Sequence, residues 1–232
     1  RWGLTQSEWD KIRLDENYKS KYSWFVDYYL DTLHKVEQET GHRAIDAIAF
    51  HWYPESFGAT TKKRIVDLDG TSTQSDLVKE DMITARLQAP RGLWDSKYTY
   101  LGNDGKSSYV CTQGGKAILS KIKASVDKFY PGTKIAFTEF EYDAENHWSG
   151  GLCLADVLGV LGREDVYLAC KWDVFQSYSI AAYNLYLNYD GKGNKYGTTS
   201  VYATQSDTVA ISSFASLDDE KNLHIIAINK TN

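Results

Sequence analysis

Three short apolar runs in this chain end in the same way. Ala44-Ile45-Asp46-Ala47-Ile48-Ala49-Phe50 closes on His51-Trp52-Tyr53-Pro54, Lys134-Ile135-Ala136-Phe137-Thr138 on Glu139, and Val166-Tyr167-Leu168-Ala169-Cys170 on Lys171-Trp172. Short, near-continuous apolar runs mark strands covered on both faces, as in a parallel sheet. The segments between them carry helical periodicity. That alternation points to an α/β architecture with parallel, fully buried strands.

The helices are legible from spacing and stops. From Ser23, the residues Phe25, Val26, Tyr29, Leu30, Leu33 and Val36 recur at helical spacing, and Gly41 supplies the end. Ile118, Leu119, Ile122, Val126 and Phe129 mark an amphipathic helix stopped by Pro131-Gly132. Leu152 to Leu161 reads as a helix capped by Gly162, and Ile180 to Leu187 as another, stopped at Asp190-Gly191. Residues 1–22 read as polar and irregular, with Trp2 and Trp9 as isolated anchors.

Between the first and second strands runs a long excursion, from Glu55 to about Gly115. It holds a polar stretch from Asp67 to Asp76, a helix from Leu77 to Ala89 broken by Pro90, and a loop around Gly102-Asn103-Asp104-Gly105. Excursions of this length in a compact domain usually carry function. From about Thr198 the pattern changes. Thr208 to Leu217 and Leu223 to Ile228 are strand-like, and the polar loop Asp218-Asp219-Glu220-Lys221-Asn222 joins them as a hairpin, the start of an antiparallel sheet.

Composition removes several function classes. Lys and Arg number 26 against 31 Asp and Glu, for a net charge of −5, and no basic tract stands out, so a nucleic-acid partner is not expected. No apolar run approaches the roughly 20 residues of a membrane-spanning helix, so no membrane partner is expected either. Cys111, Cys153 and Cys170 are odd in number and lack zinc-site spacing, which excludes a disulfide-built miniprotein. Aromatic residues are in excess, with 7 Trp, 17 Tyr and 8 Phe. Core packing accounts for many of them, and the surplus of Trp and Tyr also suits stacking on sugar rings.

The polar and aromatic groups at the strand ends are the candidates for chemistry, because active sites of parallel α/β folds lie at that edge. Strand alternation puts His51 with Tyr53, Glu139 with Ile135 and Phe137, and Trp172 with Cys170 on shared faces. Glu139 stands out: a carboxylate after a buried strand is costly unless it is solvated or bonded. One reading pairs it with a buried Arg or Lys, or sets it at the rim. The other joins it to His51, Tyr53 and Trp172 around a sugar ring, the carboxylate at the anomeric carbon and the indole on the ring face.

Competing motifs fail. Gly105-Lys106-Ser107 lacks the earlier glycine of a phosphate loop, since position 100 is Tyr, and no GxSxG, HExxH or GxGxxG occurs. Asn229-Lys230-Thr231 is a glycosylation sequon by pattern only.

Several ordered segments resemble glycoside hydrolase family 44. They are Tyr22 to Leu30, His51-Trp52-Tyr53-Pro54-Glu55, Ala85 to Asp95, Ser125 to Lys134, Thr138-Glu139-Phe140, and Ser149-Gly150-Gly151 through Asp156-Val157-Leu158-Gly159. The resemblance implies a (β/α)8 barrel joined to a β-sandwich and a retaining endo-β-1,4-glucanase or xyloglucanase. It places the nucleophile at Glu139, a stacking aromatic at Trp172, and His51 and Tyr53 among the groups that bind substrate. It implies β-glucan as partner, no cofactor for the chemistry, and an extracellular enzyme. No residue is assigned as a metal ligand, and a structural metal is left open, because its oxygen cage would come from distant segments.

The sequence departs from the family twice. Ser107-Ser108-Tyr109-Val110-Cys111 stands where the family usually carries Trp residues. The Asn-Glu-Pro-like segment that bears the acid/base is missing, and a barrel takes about 250 residues. The chain starts at Arg1 with no initiator Met, basic n-region or apolar h-region, so either a leader has been removed or the chain is a piece of something longer. The expectation is therefore a C-terminal portion: residues 1–195 as the last three strand–helix units of a barrel, and 196–232 as the beginning of a sandwich. A non-catalytic glucan-binding fragment is the alternative. An open α/β transferase is a third reading, disfavoured by the missing phosphate loop.

Overall fold

The computed structural model describes residues 6–104, 117–172 and 175–231. Trp2, Asp173 and the segment from Gly105 through Cys111 lie outside them, as does the side chain of Trp9. The chain divides into two compact units, Arg1–Ile48 with Lys121–Ile135, and Ala49–Ser120 with Ala136–Asn232.

In the first unit, two short helices, α1 (Gln6–Leu14) and α2 (Glu16–Lys21), replace the irregular segment expected there. Asp15 separates them, its carboxylate accepting from the backbone N–H groups of Asn17 and Tyr18 as an N-cap. Charged pairs one turn apart, Asp10 with Arg13 and Glu16 with Lys19, add support that an apolar-periodicity reading overlooks. Helix α3 (Phe25–Thr40) follows the expected course and ends at Gly41, in the left-handed region at φ 71°. Leu30 is fully buried, whereas Val36 is exposed. The buried carboxylate of Asp27 accepts from Ser23, from the Trp24 indole and from Ser125 of α6 (Ile118–Phe129), so its burial leaves no orphaned charge.

A three-stranded sheet has the order β1 (Ala47–Trp52), β2 (Lys134–Phe140), β3 (Leu168–Lys171). Strands β2 and β3 are parallel, with Ala136 opposite Leu168 and Phe140 opposite Lys171. Only the central strand meets the expectation of burial. Ile135, Ala136, Phe137 and Phe140 of β2 are shielded, while β3 leaves Leu168, and Tyr167 just before it, exposed. The reason is positional: among the described residues an outer strand of this sheet has a neighbour on one side only.

Helix α7 (Trp148–Arg163) starts earlier than its apolar periodicity indicates and ends later. Asp165, at φ 57°, takes the left-handed turn expected of Gly162. Its first turn needs Gly150 and Gly151, where an added Cβ would lie 2.1 Å from the Ala144 carbonyl oxygen and 2.8 Å from Cβ of Tyr178. Tyr178 belongs to α8 (Ser177–Leu187). The expected helix from Leu77 to Ala89 divides into α4 (Gln74–Leu77), α5 (Glu80–Gln88) and a 3-10 turn, Ala89–Leu93. Pro90 opens that 3-10 turn, where no backbone donor is required of it. The fully buried Arg86 of α5 donates to the carbonyls of Leu77 and Tyr142 and to Ser149 Oγ, tying the long excursion to the start of α7.

The tail forms an antiparallel sheet of β4 (Thr199–Val201), β5 (Ile211–Leu217) and β6 (Leu223–Asn229). The β5–β6 hairpin is the one expected; the three-residue β4 is too short to show alternation. One face of β5 packs on α7. An added Cβ at Gly159 would lie 2.4 Å from the Phe214 ring, and Ser212 Oγ donates to buried Asp156 at 2.8 Å. No helix among the described residues is long and apolar enough to cross a membrane.

Candidate active site

The ends of β1 and β2 bring Glu139, His51 and Tyr53 together. Tyr53 Oη donates to Glu139 Oε2 at 2.8 Å, and His51 Nδ1 lies 3.0 Å from the same oxygen. Both therefore act first on the carboxylate, as their shared face of the strand requires. The Tyr53 position is secured by Arg64, whose guanidinium donates to the carbonyls of Tyr53 at 2.6 Å and Pro54 at 3.0 Å. Burial, and then the bond to Glu139, push the Tyr53 hydroxyl up to about 12, so it remains a neutral donor. Among the described residues no donor reaches Glu139 Oε1, and the side chain keeps 26% of its exposure.

Trp172 stands at the neighbouring strand end. Its backbone N–H donates to the Phe140 carbonyl at 2.9 Å, one residue beyond Glu139, and its side chain is exposed. Glu139, His51, Tyr53 and Trp172 thus lie at the same end of adjacent strands. Among the described residues the alternative of Glu139 paired with a buried Arg or Lys finds no such cation; the partners of Glu139 there are a phenol and an imidazole.

The carboxylates that follow behave differently. Strand β2 ends at Phe140, and Asp143 and Ala144 adopt positive φ of 57° and 64°, so the chain turns back on itself. Glu141 Oε1 accepts from the backbone N–H groups of Tyr142 and Asp143 at 2.7 and 2.9 Å, and its Oε2 pairs with the ammonium of Lys171. That ammonium also reaches Glu145 Oε1 at 2.7 Å. Burial, reinforced by Glu145, raises Glu141 to about 7 in spite of Lys171. Burial also disfavours the Glu145 carboxylate, but its bonds to Lys171 and Glu141 hold it below its ordinary range.

Oxygens of Glu141, Asp143 and Glu145 lie within 4.8 Å of one another, a spacing suited to a cation. Lys171 supplies positive charge to two of them. This ion cluster was absent from the sequence reading, although Lys171 was noted as a strand end. Its signal is the lysine itself, in a parallel strand between two residues assigned to the opposite face. Glu141, bonded and only 5% exposed, is poorly placed as a second catalytic carboxyl group.

The model of glycoside hydrolase family 44 matches residues 1–56. A beta-mannanase/endoglucanase A from Caldicellulosiruptor saccharolyticus is 41% identical over 231 residues, covering 96% of this chain and 16% of the relative. Endoglucanase A from Paenibacillus lautus is 41% identical over 91% of this chain and 29% of its own length. A solved family 44 xyloglucanase from Paenibacillus polymyxa, in a structure with xyloglucan, superposes with a TM-score of 0.82 at 41% identity, over 98% of this chain and 42% of that one. The chain therefore spans less than half of each of these relatives. With the sequence match running along nearly all of its length, and the superposed fold beneath it, the chain is similar to a part of glycoside hydrolase family 44 enzymes.

Proposed function

We propose that this chain is the nucleophile-bearing part of a retaining endo-β-1,4-glucanase of the xyloglucanase type. The observation that carries the reading is Glu139, held through Oε2 by Tyr53 and His51 with Oε1 met by no donor among the described residues, beside the exposed indole of Trp172. In this reading Oε1 attacks the anomeric carbon. An acid from the other part of the enzyme protonates the leaving oxygen, and water then hydrolyses the glycosyl ester, with the two carboxyl groups about 5–5.5 Å apart. Trp172 stacks on a glucose ring, while His51 and Tyr53 orient the nucleophile and border the sugar. The xyloglucan of the P. polymyxa structure and the endoglucanase names of the relatives support a β-glucan substrate.

The same reading takes β1, β2 and β3 with their helices as the last three units of a (β/α)8 barrel within residues 1–195, and the tail, 196–232, as the first strands of a β-sandwich. The enzyme acts outside the cell, on polymer too large to enter it. The test is a chimera in which these 232 residues replace their counterpart in the P. polymyxa xyloglucanase. The chimera should hydrolyse soluble xyloglucan, and Glu139→Gln should lower turnover by more than about a thousandfold. Retention of a tenth of the activity in that variant overturns the assignment. The 232-residue chain alone should release no product; activity there would place the acid/base within it.

A further inference from the structure

We propose that the buried cluster of Lys171, Glu141 and Glu145 is a positioning device that fixes Trp172 relative to the strand bearing Glu139. The three side chains are only 2%, 5% and 9% exposed, respectively, and they surround a single ammonium group. A lysine has three N–H donors. Here they go to Glu141, to Glu145 and to the backbone carbonyl of Trp172, the last at 2.9 Å.

The backbone of Trp172 is thereby held at both ends. Its N–H is bound to Phe140 of β2, and its carbonyl to an ammonium anchored on Glu141, the residue after Phe140. The indole itself is 55% exposed, so packing alone does not fix it. A platform that must stand out into solvent needs its backbone secured, and this cluster secures it. Glu145 extends the hold, its carbonyl accepting the N–H of Tyr178 at the start of α8. Gly150 and Gly151 permit the close approach that puts Glu145 there.

Stability does not explain the cluster well. Buried ion pairs often contribute less than apolar residues of similar size, and geometric specificity is the alternative use. The role in glucan binding rests on the function proposed above; the positioning itself does not.

The test uses the 232-residue chain labelled with 5-fluorotryptophan, the Trp172 signal being assigned by its loss in Trp172→Phe. Lys171→Met should shift and broaden the Trp172 fluorine resonance while leaving that of Trp24 in place. Glu145→Gln, which keeps an acceptor, should produce a smaller shift in the same signal, and it carries the test should Lys171→Met fail to fold. Titration with a xyloglucan oligosaccharide supplies the second readout. Lys171→Met should weaken binding about tenfold, as Trp172→Ala does, and the double variant should bind no worse than Trp172→Ala, because both act through one indole. An unmoved Trp172 signal in the folded variant, or losses that multiply, overturns the proposal. A Trp172 signal that moves in a chain that binds no glucan leaves the positioning intact and removes the function assigned to it.

Discussion

Tyr53→Phe removes one oxygen atom and tests how the nucleophile is held. That oxygen donates to Glu139 Oε2 at 2.8 Å, and His51 contacts the same Oε2 at 3.0 Å. A hydrogen bond to a charged group contributes about 1.5–3 kcal/mol, which is about 10–150-fold in rate at 1.36 kcal/mol per decade. Because His51 still orients the carboxylate, the loss should fall near the lower end. The bond is made to the reacting group and not to distant sugar rings, so in the chimera kcat on soluble xyloglucan should fall about tenfold with KM nearly unchanged. The hydroxyl titrates only near 12, a value set by burial and then by Glu139, so the deficit should be constant from about pH 5 to 9. Adding His51→Ala should deepen it, because Oε2 then loses both partners. A change of less than about threefold, or one confined to KM, refutes the reasoning.

Two further outcomes follow from packing and charge. Burial and Glu145 raise Glu141 to about 7, above its unfolded value of 4.5, so its contribution to stability is complete only below that unfolded value and is lost as pH rises to about 7. Glu145 is shifted down, and its contribution is lost as pH falls. The unfolding midpoint of the chain should therefore decline between about pH 4.5 and 7, and Glu141→Gln should flatten that decline; an unchanged slope refutes the assignment. Gly159→Ala adds a methyl group 2.4 Å from the Phe214 ring, so overpacking of about 1–3 kcal/mol should outweigh the helix-propensity gain of about 1 kcal/mol. Thermal unfolding should show a lower midpoint, restored in part by Phe214→Leu, whereas a rise would refute the contact.

Helix α3 and the β5–β6 hairpin were legible because each signal is local: apolar recurrence ended by Gly41, and two strand-like runs joined by Asp218 to Asn222. Helices α1 and α2 carry their signal in charge pairs and the Asp15 cap, with little apolar periodicity to find. The grouping of His51, Tyr53 and Glu139 was legible for a stronger reason. Alternation fixes which side chains share a face, and adjacent strands of an α/β sheet bring their ends together. The pairing of His51 and Tyr53 with one oxygen of Glu139, in contrast, depends on side-chain torsions and on Arg64 holding the turn from 11 residues along the chain.

The same alternation, carried one residue further, leads to the ion cluster. If Cys170 and Trp172 face one way, Lys171 faces the other. An ammonium on a shielded face of a strand must find carboxylates or lose its charge. Glu141 and Glu145 lie 30 and 26 residues away, and extending β2 past Phe140 would have aimed Glu141 along with Glu139. The positive φ at Asp143 and Ala144 breaks that extension and folds both carboxylates onto Lys171. Neither residue is glycine, so the turn left no conspicuous mark in the sequence. The lysine predicts that acidic partners exist, and the fold determines which acids they are. Of three glutamates spaced two and four residues apart, one therefore remains open to solvent as the proposed nucleophile, while the other two hold the strand beside it.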